Sequence, residues 1–268
     1  MTSLCASVSV IAGVLYLTLA GAPISYIGVN LVALLTGLSL AGFVTWRGWR
    51  VDSGLAGLLI AAALLATALF GVSLEGATRW LLLGPVLVQP SLILVPLLLL
   101  SFARQQDALS TCCVVVVALA VALQPDRAMC AVLLAGAIAL LLTTRNRYSL
   151  LAAIAGASGL VASWLQPDSL PPVQFVEGVY SAAIQSGWLA SAFVFGGTLL
   201  LMLPAIAAVG RRSAQARVFH VFGAVWLAMI AAAAFSNYPT PLVGYGSSAI
   251  LGYTLCILGL PSHADVTM

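Results

Sequence analysis

An arginine and a tryptophan stand side by side in a chain that has very few charged side chains. Arg79 and Trp80 lie in the segment Gly76–Ser91, between two long apolar stretches. A guanidinium group offers paired N–H donors in a fixed geometry that matches a phosphate group, and tryptophan is typical of the headgroup level of a membrane. The pair therefore predicts a site for a phosphate-bearing lipid. The alternative is that Arg79 only extends toward the headgroups and binds no ligand.

A second polar stretch follows two prolines, Pro239 and Pro241, near the end of the chain. Tyr245 lies between Gly244 and Gly246, which allow tight backbone turns, and Ser247 and Ser248 come next. Serines at a helix start cap backbone N–H groups and leave others free to face an anion. The stretch therefore predicts a helix start that can bind an anion. Helix capping alone is the alternative explanation of the two serines.

A Gln-Pro dipeptide followed by Ser or Asp occurs three times, as Gln89-Pro90-Ser91, Gln124-Pro125-Asp126 and Gln166-Pro167-Asp168. Proline suits the first turn of a helix, and a nearby Ser or Asp can accept hydrogen bonds from free backbone N–H groups. Each occurrence is therefore typical of a helix start. Arg127 follows Asp126 directly, and a solvated ion pair between the two would be worth at most about 1 kcal/mol.

The composition places the chain among integral membrane proteins. Of its 268 residues, 62% are hydrophobic and 6% are charged, whereas soluble domains contain about 25% charged residues. Apolar runs near the ~20 residues needed to cross a bilayer recur along the chain, which favours an all-α bundle of transmembrane helices over a barrel. We expect one membrane domain over 1–268, with no soluble domain, cleaved signal, metal, cofactor or nucleic-acid site. We predict ten spans, within a range of eight to ten: 3–20, 24–46, 54–72, 90–104, 110–124, 128–144, 148–165, 187–209, 217–236 and 243–260.

The arginines predict how these spans are oriented, because basic residues are enriched in cytoplasmic loops. With the N-terminus in the cytoplasm, Arg79 and Arg127 are the two arginines left on the outer side. The other eight of the ten basic residues fall on the cytoplasmic side: Arg47, Arg50, Arg104, Arg145, Arg147, Arg211, Arg212 and Arg217. An even number of spans then places both termini in the cytoplasm.

Three polar segments resemble, in the same order, motifs of the SEDS family, polytopic bacterial proteins that polymerise peptidoglycan from a lipid-linked precursor. The first reads G-A-x-R-W-x-x-L-G-P-x-x-x-Q-P-S over 76–91, the second is Q-P-D over 124–126, and the third is P-L-V-x-Y-G-S-S over 241–248. The resemblance implies the bacterial inner membrane, a role in cell division or cell shape, and an outer cavity for a polyprenyl-pyrophosphate-linked sugar. It assigns the lining of that cavity to Arg79, Trp80, Gln89, Asp126, Tyr245 and Ser247.

The chain departs from the family pattern where the polymerases carry charged residues. Leu92 and Val95 stand where the family has a glutamate and a lysine, and Val176 stands where it has the catalytic aspartate. Glycosyl transfer needs a base on the acceptor hydroxyl, and the two candidate carboxylates near this position are Glu177 and Asp168. The alternative for Glu177 is an acid at a helix start, where the positive end of the helix dipole favours it.

We therefore predict a SEDS-like protein that binds a polyprenyl-linked precursor and membrane lipids, and we do not predict polymerase activity. One alternative is an active peptidoglycan glycosyltransferase that uses Glu177 or Asp168. Another is a non-catalytic subunit that binds a membrane protein, for example a transpeptidase. A lipid transporter is the least favoured alternative, because the sequence offers no membrane-embedded acid or basic pair to couple to an ion gradient.

Overall fold

Helices form most of the described chain. The computed structural model describes residues 1–48, 54–84, 86–168, 170–211 and 213–261. In chain order its helices and strands are α1 (Thr2–Leu19), α2 (Ile24–Trp46), α3 (Gly54–Phe70), β1 (Val72–Leu74), β2 (Ala77–Leu83), β3 (Val86–Val88), α4 (Pro90–Arg104), α5 (Ala108–Leu123), α6 (Arg127–Thr144), α7 (Arg147–Trp164), α8 (Val179–Ser186), α9 (Trp188–Ile206), α10 (Ala214–Phe235) and α11 (Ser247–Cys256). The predicted all-α helical bundle is confirmed.

Each of the ten predicted spans corresponds to one helix, and α8 is an eleventh that the sequence analysis did not predict. It has 8 residues and follows Gly178, whose φ of 67° lies in the left-handed region. It packs on α9, where the rings of Tyr180 and Phe195 stack with centroids 5.6 Å apart. The sequence analysis missed α8 because a helix of 8 residues is too short to contain an apolar run of transmembrane length.

Five of the described helices are long and apolar enough to cross a membrane, judged by length and composition: α1, α2, α6, α9 and α10. Helices α3, α4, α5 and α11 are also apolar but have 10–17 residues. Large apolar side chains lie on the outside of the bundle, as at Phe70, Leu142 and Phe235. The chain is therefore a multi-pass membrane protein. Arg50 and Arg212 lie outside the described residues, and the orientation of the termini stays a prediction.

A small antiparallel sheet covers one end of the bundle, between the predicted spans 54–72 and 90–104, where the sequence analysis predicted no strand. Its order is β1-β2-β3. Glu75 and Gly76 connect β1 to β2 with φ values of 47° and 87°, and two consecutive positive φ values are typical of the tight turns that join antiparallel strands. Ala77 and Arg79 are buried while Thr78 and Trp80 are only partly buried. This alternation turns Arg79 toward the helices.

Helix α4 lies at the centre of the bundle, and α11 packs directly on it. Gly252 of α11 allows this contact, because a Cβ atom there would lie 2.2 Å from the carbonyl oxygen of Leu92. Leu92 and Val95 are 8% and 0% exposed, so the positions that carry charges in the SEDS motif are filled by packed aliphatic side chains here. The approach of α11 to α4 also brings the start of α11 next to Gln89, the residue before α4.

Candidate functional site

A cavity of about 310 Å³ opens at the sheet-covered end of the bundle. The β-sheet, the turn before α8 and the loop between α10 and α11 form its wall. Six of the predicted site residues line it: Arg79, Trp80, Gln89, Glu177, Tyr245 and Ser247. Much of the remaining wall is aliphatic, including Leu74, Leu87, Leu170 and Val176. The cavity therefore combines a few polar groups with an apolar lining, as small-molecule sites usually do.

Arg79 is buried and its guanidinium group is bonded to the protein. Its Nε atom donates to the carbonyl oxygen of Gln124 at 3.0 Å, and its Nη2 atom donates to the carbonyl oxygen of Pro125. Nη2 also lies 2.7 Å from Oδ1 of Asp168. Burial alone would lower the pKa of Arg79. The nearby carboxylates of Asp126 and Asp168 raise that pKa by more than burial lowers it, so the guanidinium stays charged. Arg79 thus ties β2 to the loop between α5 and α6.

Asp168 is a structural partner of Arg79 and is not part of the cavity wall. Its Oδ2 atom accepts a hydrogen bond from the Tyr238 hydroxyl at 2.5 Å. Burial, followed by the nearby carboxylates of Asp126 and Asp168, raises the pKa of Tyr238, so this hydroxyl keeps its proton and donates. With both carboxylate oxygens engaged, Asp168 is poorly placed to remove a proton from a ligand.

Asp126 lies behind the cavity wall and organises two helix starts. Its Oδ1 atom caps α6 by accepting from the backbone N–H of Met129 at 3.1 Å. Its Oδ2 atom accepts from Nε2 of Gln89 at 2.8 Å and from Oγ of Ser91 at 3.1 Å. The ion pair between Asp126 and Arg127 that the sequence analysis considered does not form. Arg127 instead donates to the carbonyl oxygen of Gln166 at 2.7 Å. Asp126 therefore positions Gln89 and is not itself in the wall.

The loop before α11 is held by Asn30, a buried residue of α2 that the sequence analysis did not select. Its Nδ2 atom donates to the carbonyl oxygen of Gly244 at 2.9 Å, and its Oδ1 atom accepts from the N–H of Gly246 at 3.1 Å. Tyr245 stacks on Tyr26, with ring centroids 3.8 Å apart and planes at 10°. The sequence did hold a signal for this residue, because Asn30 interrupts an apolar helix and a polar side chain buried there needs a hydrogen-bond partner.

The predicted roles of the glycines and serines at this helix start need correction. Gly246 has a φ of 166°, which is extended backbone, and it is the N-cap of α11 without a side-chain cap. Ser248 does not cap α11, because its Oγ atom accepts from the backbone N–H of Gln89 at 2.9 Å. Gly244 does permit a close approach, since a Cβ atom there would lie 3.0 Å from the carbonyl oxygen of Phe175. These contacts fix the mouth of the cavity around Ser247.

Glu177 closes a tight turn and lines the cavity. Its Oε2 atom accepts from the backbone N–H of Val173 at 2.6 Å. The turn is docked on the α10–α11 loop, where Tyr245 N–H donates to the carbonyl oxygen of Phe175 at 2.7 Å. Burial raises the pKa of Glu177 above its ordinary value of 4.5. A partly buried carboxyl group with a raised pKa in a cleft is a candidate for proton transfer.

Thr240 is a polar wall residue that the sequence analysis quoted but did not assign to the site. The residue is 3% exposed, and its buried Oγ1 atom has no hydrogen-bond partner within the described residues. The hydroxyl groups of Tyr245 and Ser247 and the amide of Asn237 also line the cavity without a hydrogen bond to a described residue. An unbonded buried hydroxyl is unfavourable unless something else supplies the partner, so these groups are the ones available to a ligand.

Comparison with solved structures shows proteins that share this fold. No protein-family model and no curated protein matches the sequence. The crystal structure of the rod shape determining protein RodA of Thermus thermophilus matches with a TM-score of 0.70 and 23% identity, over 96% of this chain and 93% of that chain. A mutant of the same RodA matches with a TM-score of 0.67 and 22% identity, over 96% and 94%.

A third match is a chain of a peptidoglycan synthase complex that coordinates polymerization and crosslinking. Its TM-score is 0.66 and its identity 21%, over 96% of this chain and 94% of that chain. Sequence identities this low establish a shared fold and leave the activity of this chain open. The chain therefore has the RodA-like fold that its three SEDS-like segments predicted.

Proposed function

We propose that the 310 Å³ cavity binds the head of a polyprenyl-pyrophosphate-linked cell-wall sugar. The observation that carries this proposal is the convergence of three segments, 79–89, 170–177 and 237–249, on one cavity. The aliphatic wall suits the start of a lipid chain, and the polar groups suit a sugar. The RodA-like fold supports the same class of ligand, since the structures that share it include a rod shape determining protein and a peptidoglycan synthase complex.

The ligand contacts in this proposal differ from those first predicted. Arg79 uses its guanidinium to hold Gln124, Pro125 and Asp168, and Asp168 balances its charge. Arg79 therefore frames the cavity, and its substitution would disturb the frame as well as the ligand. The unbonded groups of Thr240, Ser247, Tyr245 and Asn237 are the better candidates for hydrogen bonds to the ligand.

Binding of the lipid-linked disaccharide precursor to the purified protein in nanodiscs tests the proposal. The variant carrying both Thr240→Val and Ser247→Ala removes two hydroxyl groups from the wall and should weaken binding roughly tenfold, because each lost hydrogen bond contributes about 0.5–1.5 kcal/mol. The matched control is Thr45→Val, whose hydroxyl bonds within its own helix and lies outside the wall of this cavity. Equal affinities of wild type, control and double variant would refute the proposal.

Glycosyl transfer is a second candidate function, and the position of Glu177 favours it. Glu177 is the one carboxylate among the described residues of the cavity wall. In this reaction the Glu177 carboxylate would take the proton of the acceptor hydroxyl, whose oxygen would bond to the anomeric carbon of the donor as polyprenyl pyrophosphate leaves. Asp168 is not proposed as the base, because Arg79 and Tyr238 occupy its two oxygens.

Polymer formation from the lipid-linked precursor distinguishes transfer from binding alone. Glu177→Gln keeps the shape of the side chain and an oxygen that can accept from Val173, while it removes the base. If the chain is a transferase, this variant should lose polymer formation by a factor of about 100 or more and still bind the precursor. Glu75→Gln, at the exposed turn between β1 and β2, is the matched control. Absence of polymer with wild-type protein would leave binding as the function.

A membrane partner is the third part of the proposal. One of the chains that share this fold belongs to a complex that couples polymerization with crosslinking, so we propose that this chain works beside a crosslinking subunit. We expect a membrane-anchored transpeptidase to co-purify with this chain in a stoichiometric amount from mild detergent. If a chemical reagent that links neighbouring proteins in intact membranes captures no partner, this part of the proposal is wrong.

A further inference from the structure

A second cavity, of about 460 Å³, lies at the opposite end of the bundle from the first. Helix α10 connects the two ends, because it begins after Ser213 beside this cavity and finishes shortly before Asn237 at the other. The ends of α6 and of the α9–α10 link complete the wall. Four basic side chains line it: Arg145, Arg211, Arg217 and His220.

Among the residues that the structure describes, the three guanidinium groups in this wall have no counter-charge. None of them forms a side-chain hydrogen bond or ion pair within the described residues, and the described lining contains no aspartate or glutamate. The Nε atom of Arg217 is buried and has no hydrogen-bond partner among the described residues. Like charges gathered around an empty space repel one another, and a buried donor without an acceptor is unfavourable. An anion in the cavity would relieve both conditions.

The start of α10 adds to the positive potential of this cavity. The helix has 22 residues, and Ser213 caps it by accepting from the N–H of Ala216 at 3.1 Å. The N-terminus of a helix carries a partial positive charge and free N–H groups that favour anions. The His220 Nε2 atom lies 3.3 Å from the carbonyl oxygen of Ala208, which holds the ring beside the guanidinium groups.

We propose that this cavity binds the phosphate group of an anionic phospholipid. Guanidinium groups match the geometry of phosphate oxygens. The cavity lies where α6 and α10, both long enough to cross a membrane, reach one end of the bundle, and Leu142 in its wall is 71% exposed. A lipid there can place acyl chains on the apolar helix surfaces and its phosphate between Arg145, Arg211 and Arg217. This site is independent of the function proposed for the first cavity.

Native mass spectrometry of the detergent-purified chain tests this site, with phosphatidylglycerol and phosphatidylcholine as probes. We expect wild type to bind phosphatidylglycerol at least tenfold more tightly than phosphatidylcholine. Arg217→Gln should abolish that preference, and Arg211→Gln, at an exposed position, should reduce it without endangering the fold. The matched control is Arg147→Gln, because Arg147 is exposed at the same end, bonds to Tyr148 at 2.9 Å and lies outside the cavity.

The outcomes separate a specific site from general attraction of a basic surface to anionic lipid. Equal losses in the Arg217, Arg211 and Arg147 variants, or equal binding of the two lipids by wild type, would overturn the proposal. Inorganic phosphate is the second probe. If it competes with phosphatidylglycerol in wild type, the phosphate group is the recognised chemistry. If phosphate alone binds, with the same dependence on Arg217, the ligand is a soluble anion and the lipid assignment is wrong.

Discussion

The side chains of Arg79 and Asp168 are 4% and 8% exposed, and each is the counter-ion of the other. A buried ion pair adds little to the stability of a protein compared with an apolar pair of similar size. The loss of one partner, however, destabilises the protein because it leaves an uncompensated charge inside. The hydrogen bond from Tyr238 to Asp168 extends this pair to the loop before α11. At the scale of the residue, the geometry of the cavity thus depends on one neutralised charge.

Removal of the Arg79 guanidinium should therefore destabilise the whole protein. We expect Arg79→Ala to lower the free energy of unfolding by about 3–5 kcal/mol, measured by denaturant titration in detergent. The double variant Arg79→Ala with Asp168→Asn should recover part of that loss, because no unpaired charge remains. Arg47→Ala is the control, since Arg47 is exposed and its guanidinium lies over the rings of Phe43 and Trp46, two residues of the same helix. An Arg79 variant as stable as the Arg47 variant would contradict this account.

Glu177 gives a prediction about pH. Burial raises the pKa of its carboxyl group above 4.5, and the deprotonated form is the base. If the chain transfers glycosyl groups, the rate of polymer formation should fall as the pH falls through this raised pKa, at a higher pH than for an ordinary glutamate. The pH profile of the single-turnover rate measures this. A rate that stays constant from pH 8 down to the ordinary value would exclude Glu177 as the base.

Individual site residues were partly predictable from the sequence. Arg79 and Tyr245 stood out because polar residues interrupt apolar runs, and both line one cavity. The partners of Arg79 were not predictable, because two of them are backbone carbonyl groups 45 and 46 residues away and the third is the carboxylate of Asp168, farther along the chain. Asn30 was missed for the same reason, since its contacts lie more than 200 residues along the chain. Single residue types indicate a polar site, whereas the tertiary fold decides which groups are already bonded.

At the scale of the element, the packing of α11 on α4 sets the shape of the cavity mouth. Gly252→Ala would place a methyl group 2.2 Å from a backbone oxygen of α4, so α11 would have to move. We expect a loss of about 1–3 kcal/mol in stability and weaker precursor binding. Gly196→Ala in α9 is the matched control, because a Cβ atom there meets nothing within 4 Å. Equal stability and affinity of the two variants would show that this contact does not shape the site.

The elements differ in how well the sequence predicts them. Long apolar runs such as 24–46 and 214–235 can lie only in helices when they cross a membrane, and the structure has helices there. The strands β1 and β3 have 3 residues each, too short for an alternating pattern. The 7 residues of β2 end in three consecutive exposed leucines, Leu81, Leu82 and Leu83, and this apolar run obscures the strand signal.

At the scale of the whole molecule, the orientation predicted from the arginine distribution can be tested directly. Glu75 and Arg147 lie in exposed positions at the two ends of the bundle. We expect Glu75→Cys to react with a membrane-impermeant maleimide in intact cells, after Cys112, the exposed native cysteine, is replaced by Ser. Arg147→Cys should react only after the membrane is permeabilised. The reverse pattern would invert the orientation and place the first cavity in the cytoplasm.

The two cavities differ in the charged side chains that the structure describes around them: Arg79 beside the first is paired with a carboxylate, whereas the second is lined by four basic side chains. Arg79 is neutralised by Asp168, so the first cavity suits a ligand held mainly by hydroxyl groups and apolar contacts. The guanidinium groups around the second cavity have no such partner within the described residues. The two proposed sites together would hold a sugar-linked lipid at one membrane surface and an anionic lipid at the other.

Photo-crosslinking of the precursor tests the central claim most directly. A lipid-linked disaccharide with a diazirine on its sugar is bound to the protein in nanodiscs and irradiated, and the labelled peptides are identified by mass spectrometry. We predict that labels concentrate in 170–177 and 237–249 and disappear when unlabelled precursor is added in excess. Labels confined to the outer surfaces of α2, α3 and α9, unaffected by unlabelled precursor, would contradict the account.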